Sequence, residues 1–312
     1  MFSSIFEFFL LIPLFYLLSL VADFVVFKIK ALAEKIGFDL GTMGAILGLL
    51  TSIPELSVSF NAVAMGDQSI SMGNLMGGIV VIFCLILGIS LVLNRKIKTD
   101  GKIFGLSFVG LALILPLLLG LKGYLNFFDG LILVSVYFLI IRYKFARNLI
   151  DGHKFKIIKI ETLYAWRELF SVMIGAFSII LISNFIMRTS ADIVNILGIS
   201  PFIMGLVVFS VGTNLPEIIL TVKSWKQNAS ELSLNYLLGS AMANILIMGI
   251  MVLPKRIEIA LDPSYYFILI SLIAIVFSFI YFYRSDRELT RKEGYILISY
   301  YLIFLIGQVI FS

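Results

Sequence analysis

Long apolar runs separated by short charged loops set the pattern of this chain. A membrane-spanning helix needs about 20 largely apolar residues. Runs that qualify lie near 5–27, 42–64, 70–93, 103–121, 124–141, 168–187, 198–222, 232–253, 264–283 and 294–311. They predict an all-α integral membrane protein with ten transmembrane helices. The runs at 42–64 and 70–93 each carry polar residues at mid-span. The first run has no basic lead and no small-residue cleavage site, so it reads as a retained helix and not as a signal peptide.

Composition agrees. Of 312 residues, 60% are hydrophobic and 14% charged, with a mean hydropathy of +1.06, against about 45–50% and about 25% in soluble domains. One core could not bury that much apolar surface, so lipid is the expected solvent. The net charge of +5 would suit nucleic acid, but the placement of the charges speaks against it. If both termini lie outside, 20 of the 24 Lys and Arg fall in loops on the cytoplasmic side. Only Lys122, Arg188, Lys255 and Arg256 lie opposite. This is the positive-inside pattern, and it places the protein in a cell membrane with a cytoplasmic central loop at 142–167. One cysteine, Cys84, and one histidine, His153, leave no disulfide, no Cys-rich metal site and little scope for His-based catalysis.

The chain also repeats itself. Leu50-Thr51-Ser52-Ile53-Pro54-Glu55 matches Gly212-Thr213-Asn214-Leu215-Pro216-Glu217 at an offset of 162, which also carries Gly77-Gly78 to Gly239-Ser240. Upstream the offset is 161, pairing Gly37 with Gly198, Met43-Gly44 with Met204-Gly205, and Asp23 with Asn184. Five predicted helices precede the basic linker, so the two copies have opposite orientations in the membrane. The expected organisation is a first repeat over 1–141, a linker over 142–167 and a second repeat over 168–312. Inverted repeats predict a substrate site near the midplane, on helices interrupted at corresponding positions. Proline supplies the interruption in both copies, because it removes an N–H and disturbs the carbonyl four residues back.

Glu55 and Glu217 carry the candidate chemistry. A mid-membrane acid costs about 2.5 kcal/mol or more and points to function by default. Thr51 shares a helix face with Glu55, and Thr213 and Thr221 share one with Glu217. Asn74, Ser240 and Asn244 add polar groups on the third and eighth helices. Carboxylate, hydroxyl and carbonyl oxygens suit a hard cation. Other polar residues have plainer readings. Thr221 could simply bond the carbonyl four residues back, and Asp23 could pair with Lys28. His153 reads as a solvated loop residue and Cys84 as apolar filler. Asp67, Asp129 and Asp192 fall at helix ends and need no special role.

At these segments the chain resembles the cation/Ca²⁺ exchanger superfamily, and in particular prokaryotic sodium/calcium exchanger membrane proteins. That family carries two copies of a Gly-Thr-Ser-Leu-Pro-Glu-like motif followed by Gly-Asn-x-x-Gly-Ser. Here the second element reads Gly73-Asn74-Leu75-Met76-Gly77-Gly78 in one half. In the other it reads Asn235-Tyr236-Leu237-Leu238-Gly239-Ser240, followed by Asn244. The resemblance implies a secondary antiporter with ligands on helices 2, 3, 7 and 8, in which helices 1 and 6 slide across the remaining bundle. It implies ligand roles for Thr51, Ser52, Glu55, Thr213, Glu217 and Ser240, and for the carbonyls of Gly48 and Ser210. Asn214 stands at the position of the motif's serine. Gly78 and Ile82 depart from the pattern, which removes oxygens on the first-repeat side, and Asn244 stands where many sodium/calcium exchangers have an Asp.

The expected function is exchange of Ca²⁺, or a related divalent such as Mg²⁺ or Mn²⁺, against Na⁺ or H⁺. A non-transporting homologue is the alternative. No cofactor is expected. An intramembrane enzyme is disfavoured, because neither protease nor Asp-rich prenyltransferase motifs occur. The expected partners are inorganic cations and the lipid bilayer, with no nucleic acid; the oligomeric state is left open, and a monomer is admissible.

Overall fold

The interruption expected at each Pro-Glu pair is built the same way twice. Ser52 has φ −81°, ψ 16° and Asn214 has φ −86°, ψ 11°, both in the bridge region between helical and extended backbone. A new helix starts one residue later in each case, with proline in its first turn, where a missing N–H does no harm.

The computed structural model describes residues 2–36, 51–94, 96–99, 103–150, 162–226 and 230–311. Helix α1 spans Phe2–Ile36 and α2 spans Ile53–Ala64. Helix α3 runs over Gln68–Asn94 and widens to a π turn at Val81–Ile86. Helix α4 covers Ile103–Gly120 and α5 covers Phe127–Ile150. In the second half, α6 covers Thr162–Leu197 and α7 covers Pro201–Thr213. Then come α8 at Leu215–Lys226, α9 at Ser230–Val252, α10 at Pro263–Arg284 and α11 at Arg291–Phe311.

Among the described residues, five helices are long and apolar enough to cross a membrane: α1, α3, α6, α10 and α11. Shorter apolar helices occur at Gly105–Gly120, Pro201–Thr213 and Tyr236–Val252. The run at 198–222 is therefore two helices, α7 and α8, divided at Asn214. The beginning of the run at 42–64 falls at 37–50, outside the described residues, as do Gly48 and His153. Residues 124–126, expected to be helical, form a short strand and a cap.

The central element is α3. It is 83% buried, against 28% for the apolar stretch Phe170–Ile196 of α6. Glycines let its neighbours approach. A Cβ on Gly73 would stand 2.2 Å from the Phe202 carbonyl oxygen on α7, and one on Gly205 would stand 2.3 Å from the Ile70 carbonyl oxygen on α3. Each helix thus presents a glycine to the other's backbone, as close crossings in lipid require.

Buried apolar side chains form two clusters. The larger joins α3, α4, α5, α9, α10 and α11. The smaller joins α1 and α6 to α2 and α7, through Leu11, Phe15, Leu18, Ile179, Ile186 and Phe209 among others. Phe9, Ile12, Phe27, Phe170, Phe177 and Phe185 are exposed on the outer faces of α1 and α6, as lipid-facing positions should be. Cys84 is buried, in keeping with its reading as filler.

Two short antiparallel pairs tie loops of the first half to loops of the second. β1 (Lys96–Lys98) pairs with β4 (Glu288–Thr290). β2 (Tyr124–Leu125) pairs with β3 (Ile257–Glu258). Basic residues brace the second pair, with the Arg256 guanidinium 3.7 Å and the Lys122 ammonium 4.9 Å from the centre of the Tyr124 ring. Lys122 also pairs with Asp129 at 2.6 Å.

Lys28 pairs with Glu168 of α6, at 3.0 Å, because the α1–α6 packing brings that carboxylate to it. Two plain readings of polar residues need correction. Asp129 has more than an end position: it closes a capping box on α5, accepting from the Asn126 N–H at 2.7 Å while Asn126 Oδ1 accepts from the Asp129 N–H at 3.2 Å. Thr221 does not bond the carbonyl behind it; its buried hydroxyl has no hydrogen-bond partner.

A polar knot joins α2 to α6. Asn61 Nδ2 donates to the Ser57 carbonyl at 3.0 Å and to Ser183 Oγ at 2.8 Å, while Asn61 Oδ1 accepts from Asn184 Nδ2 at 3.2 Å. The two serine hydroxyls are 2.7 Å apart. Asn61→Ala leaves the Ser183 and Asn184 groups short of a partner in a buried place, at a cost of about 1–3 kcal/mol. A lower melting temperature for the detergent-solubilised variant is expected. An unchanged one would show that the knot does not hold α6.

Candidate functional site

The polar residues singled out in the two motifs converge on one buried place. Glu55 stands in the first turn of α2 and Glu217 in the first turn of α8, each just past its break. Both are buried, with relative exposures of 1% and 0%. Each lies beside the threonine of the other half: Thr213 beside Glu55, and Thr51 beside Glu217. The crossing follows from the geometry of the breaks, which bring the two helix starts side by side.

Corresponding residues of the two halves make corresponding contacts, with substitutions that compensate one another. Ser52 and Ser240 touch, their hydroxyls 3.2 Å apart. An offset of 162 carries Ser52 to Asn214 and Ser240 back to Gly78. There the longer Asn214 reaches over the glycine: a Cβ on Gly78 would stand 3.2 Å from Asn214 Nδ2 and 2.7 Å from Asn244 Nδ2. Two small hydroxyls at one contact between the halves are replaced by a long amide over a glycine at the other.

Asn74 accepts from the Thr213 hydroxyl at 3.1 Å. The same offset carries Asn74 to Tyr236, whose phenol donates to Glu217 Oε1 at 3.3 Å and adjoins Thr51. Tyr236 is thus a site residue that motif matching passed over. In the sequence it reads as a departure from Gly-Asn, yet the offset marks it as the partner of Asn74. Ser240 donates to the same Glu217 oxygen at 3.1 Å. Asn214 Nδ2 donates to the Ser210 carbonyl at 2.8 Å, and Asn244 Nδ2 to the Leu75 carbonyl at 3.4 Å. Since carbonyl oxygens only accept, these contacts fix which way both amides face.

Apart from the Asn74 amide nitrogen, what remains at the site is a set of acceptors with nothing to accept from. Both oxygens of Glu55, Oε2 of Glu217, and the amide oxygens of Asn214 and Asn244 are buried without a hydrogen-bond partner. Buried polar atoms are normally satisfied, and an unpaired buried carboxylate is costly. Among the described residues, the other two buried acids, Asp129 and Glu168, sit beside Lys122 and Lys28, whereas no Lys or Arg is buried. Oxygen acceptors that lack a protein cation are the kind of donor set a hard metal ion takes. Of the expected ligands, Thr51, Ser52, Glu55, Asn74, Ser210, Thr213, Asn214, Glu217, Ser240 and Asn244 are all buried here. Among the described residues no cluster of three or more His, Cys, Asp or Glu occurs.

The family model described as sodium/calcium exchanger protein matches residues 6–146 and 168–310. The chain belongs to the sodium/calcium exchanger protein family. Among curated members, the sodium/calcium exchanger MaX1 of Methanosarcina acetivorans is 28% identical over 141 residues, or 45% of this chain and 40% of that protein. The inner membrane protein YrbG of Escherichia coli is 24% identical over 305 residues, 91% of each chain. Of solved structures, the H⁺/Ca²⁺ exchanger CAX aligns at a TM-score of 0.75 and 16% identity, over 98% of this chain and 86% of that one. The sodium-calcium exchanger NCX_Mj aligns at 0.67 and 20%, over 97% and 99%. At these identities the structural likeness is one of fold.

Within this exchanger-family site, Tyr236→Phe tests the residue that motif matching passed over. It removes one of the donors to Glu217 Oε1. A hydrogen bond to a charged group contributes about 1.5–3 kcal/mol, so ion binding is expected to change at least several-fold, read by calorimetry with Ca²⁺. An unchanged isotherm would make Tyr236 a bystander.

Proposed function

We propose that this chain is a secondary antiporter that exchanges Ca²⁺, or a related divalent cation, against Na⁺ or H⁺ by alternating access, with ions held mid-membrane between Glu55 and Glu217. The observation that carries the reading is the pair of buried glutamates at matched helix breaks, each close to the other half's threonine and neither balanced by a buried Lys or Arg. An ion is the missing partner. Family membership supports a cation/Ca²⁺ antiporter. The names of MaX1, NCX_Mj and CAX, two sodium/calcium exchangers and an H⁺/Ca²⁺ exchanger, support Ca²⁺ as cargo while leaving Na⁺ and H⁺ as rival coupling ions.

The accompanying architecture is ten spans as two inverted five-helix halves, 1–141 and 168–312, joined by a cytoplasmic linker at 142–167, with both termini outside the cell membrane. Two matches to one family model, one on each side of the linker, support the duplication. The strand pairs support the orientation. Paired loops must share a membrane face, and charge segregation assigns β1 and β4 to one face and β2 and β3 to the other. The division of the apolar core supports movement of α1 and α6 against the rest: their cluster reaches α2, α7 and only Ile70 of α3, whereas α3, α9, α10 and α11 share the larger one.

The test is ⁴⁵Ca²⁺ uptake into proteoliposomes under an imposed Na⁺ or H⁺ gradient, with Mg²⁺ and Mn²⁺ as competitors. Gradient-driven uptake is expected. Its absence for every divalent would leave a binding protein and not a transporter.

A further inference from the structure

Charge at the site is unusually easy to count. Two carboxylates, Glu55 and Glu217, lie there, and the buried residues described include no Lys, Arg or His. The other buried acids are already paired with Lys122 and Lys28. The groups that complete the site are neutral: threonine and serine hydroxyls, the Tyr236 phenol, and the amides of Asn74, Asn214 and Asn244.

The amides do more than stay neutral. Asn214 and Asn244 bring their nitrogens together over Gly78, where a Cβ would lie 3.2 and 2.7 Å from them. Each donates to a buried carbonyl, of Ser210 and Leu75 respectively. The Asn214 donor therefore satisfies a carbonyl in the last turn before a helix break, which a further cation could otherwise take, and Asn244 is held against the interior of α3. The space beside Gly78 is taken by protein and carries no charge.

We propose that the two asparagine amides stand in for an additional cation, so that the loaded site is neutral with one divalent or two monovalent ions and exchange is electroneutral, two monovalents for each divalent. The inference rests on the antiporter reading above and deepens it. A carrier that reorients inside a bilayer pays heavily for an uncompensated charge. A site charge of −2 is cancelled by one Ca²⁺ in one direction and by two Na⁺ or two H⁺ in the other. Asn244→Asp would remove a donor from the Leu75 carbonyl and add a third negative charge, so that variant should take up a further monovalent ion and become electrogenic.

The experiment is ⁴⁵Ca²⁺ exchange by the full chain in proteoliposomes whose potential is clamped with K⁺ and valinomycin. A cycle that moves one net charge would shift the equilibrium Ca²⁺ gradient about 50-fold per ~100 mV. The wild-type gradient is expected to be independent of voltage, and that of Asn244→Asp to follow it. A voltage-dependent wild type overturns the stoichiometry while leaving the antiporter reading intact. An active but voltage-independent Asn244→Asp overturns the role given to that amide. A chain with no exchange at all overturns both this inference and the reading beneath it.

Discussion

Replacing either Glu55 or Glu217 with glutamine is expected to reduce gradient-driven Ca²⁺ uptake by at least about 25-fold. Removing one partner from a buried charge pair costs about 2–5 kcal/mol, and each 1.4 kcal/mol is a factor of ten. Glutamine keeps the shape of the side chain and its place in the first turn of α2 or α8, so the fold should persist and only the charge is lost. The neighbours sharpen the expectation. Glu217 Oε1 already accepts from Ser240 and Tyr236, and a neutral amide there can keep those bonds. Glu55 has neither of its oxygens occupied and depends on the ion alone. The two variants should therefore fail alike in transport but differ in stability, with Glu55→Gln the more stable because it removes an unbalanced buried charge. Uptake within tenfold of wild type in either variant would refute a shared site.

The second large effect is expected where α3 crosses α7. Alanine at Gly73 or Gly205 would push its Cβ to 2.2 or 2.3 Å from a backbone carbonyl oxygen. A backbone cannot rotate aside as a side chain can, so the helices must separate. Overpacking of this kind costs about 1–3 kcal/mol and occasionally more; here the upper end applies, because the crossing holds Asn74 against Thr213. Each variant should melt well below wild type in detergent and lose Ca²⁺ binding with its fold. Gly78→Ala is the informative contrast. Its Cβ would meet only the ends of two asparagine side chains, which can shift, so its melting temperature should fall less than that of the other two. Equal melting of Gly73→Ala and wild type would mean that the crossing is looser than described.

Much of this was legible in the sequence, and for identifiable reasons. Proline inside an apolar run is unambiguous, so the breaks at Pro54 and Pro216 and the glutamates beside them could be placed within a residue. The offset of 162 then related the halves. What it could not show alone was which departures compensate. Gly78 and Asn214 read as two separate losses from a motif, and only their contact shows that one fills the space left by the other. Tyr236 was hidden for the same reason: a phenol in the place of an asparagine looks like decay until its hydroxyl is found on Glu217. The partner of Lys28 on α6 was hidden too, since Glu168 lies 140 residues away in the sequence and only helix packing brings it near. Hydropathy also drew 198–222 as one span, since it registers apolar content and is blind to a change of backbone direction at Asn214.

The central claim is that one cation site lies between the two glutamates, and locating the ion tests it most directly. Crystals of the full chain soaked in Sr²⁺, an anomalous scatterer of the same charge as Ca²⁺, should give an anomalous difference peak in contact with oxygens of both Glu55 and Glu217, lost in the Glu55→Gln variant. A peak elsewhere in the bundle, or no peak in protein that exchanges Ca²⁺ and binds Sr²⁺ in solution, would contradict it.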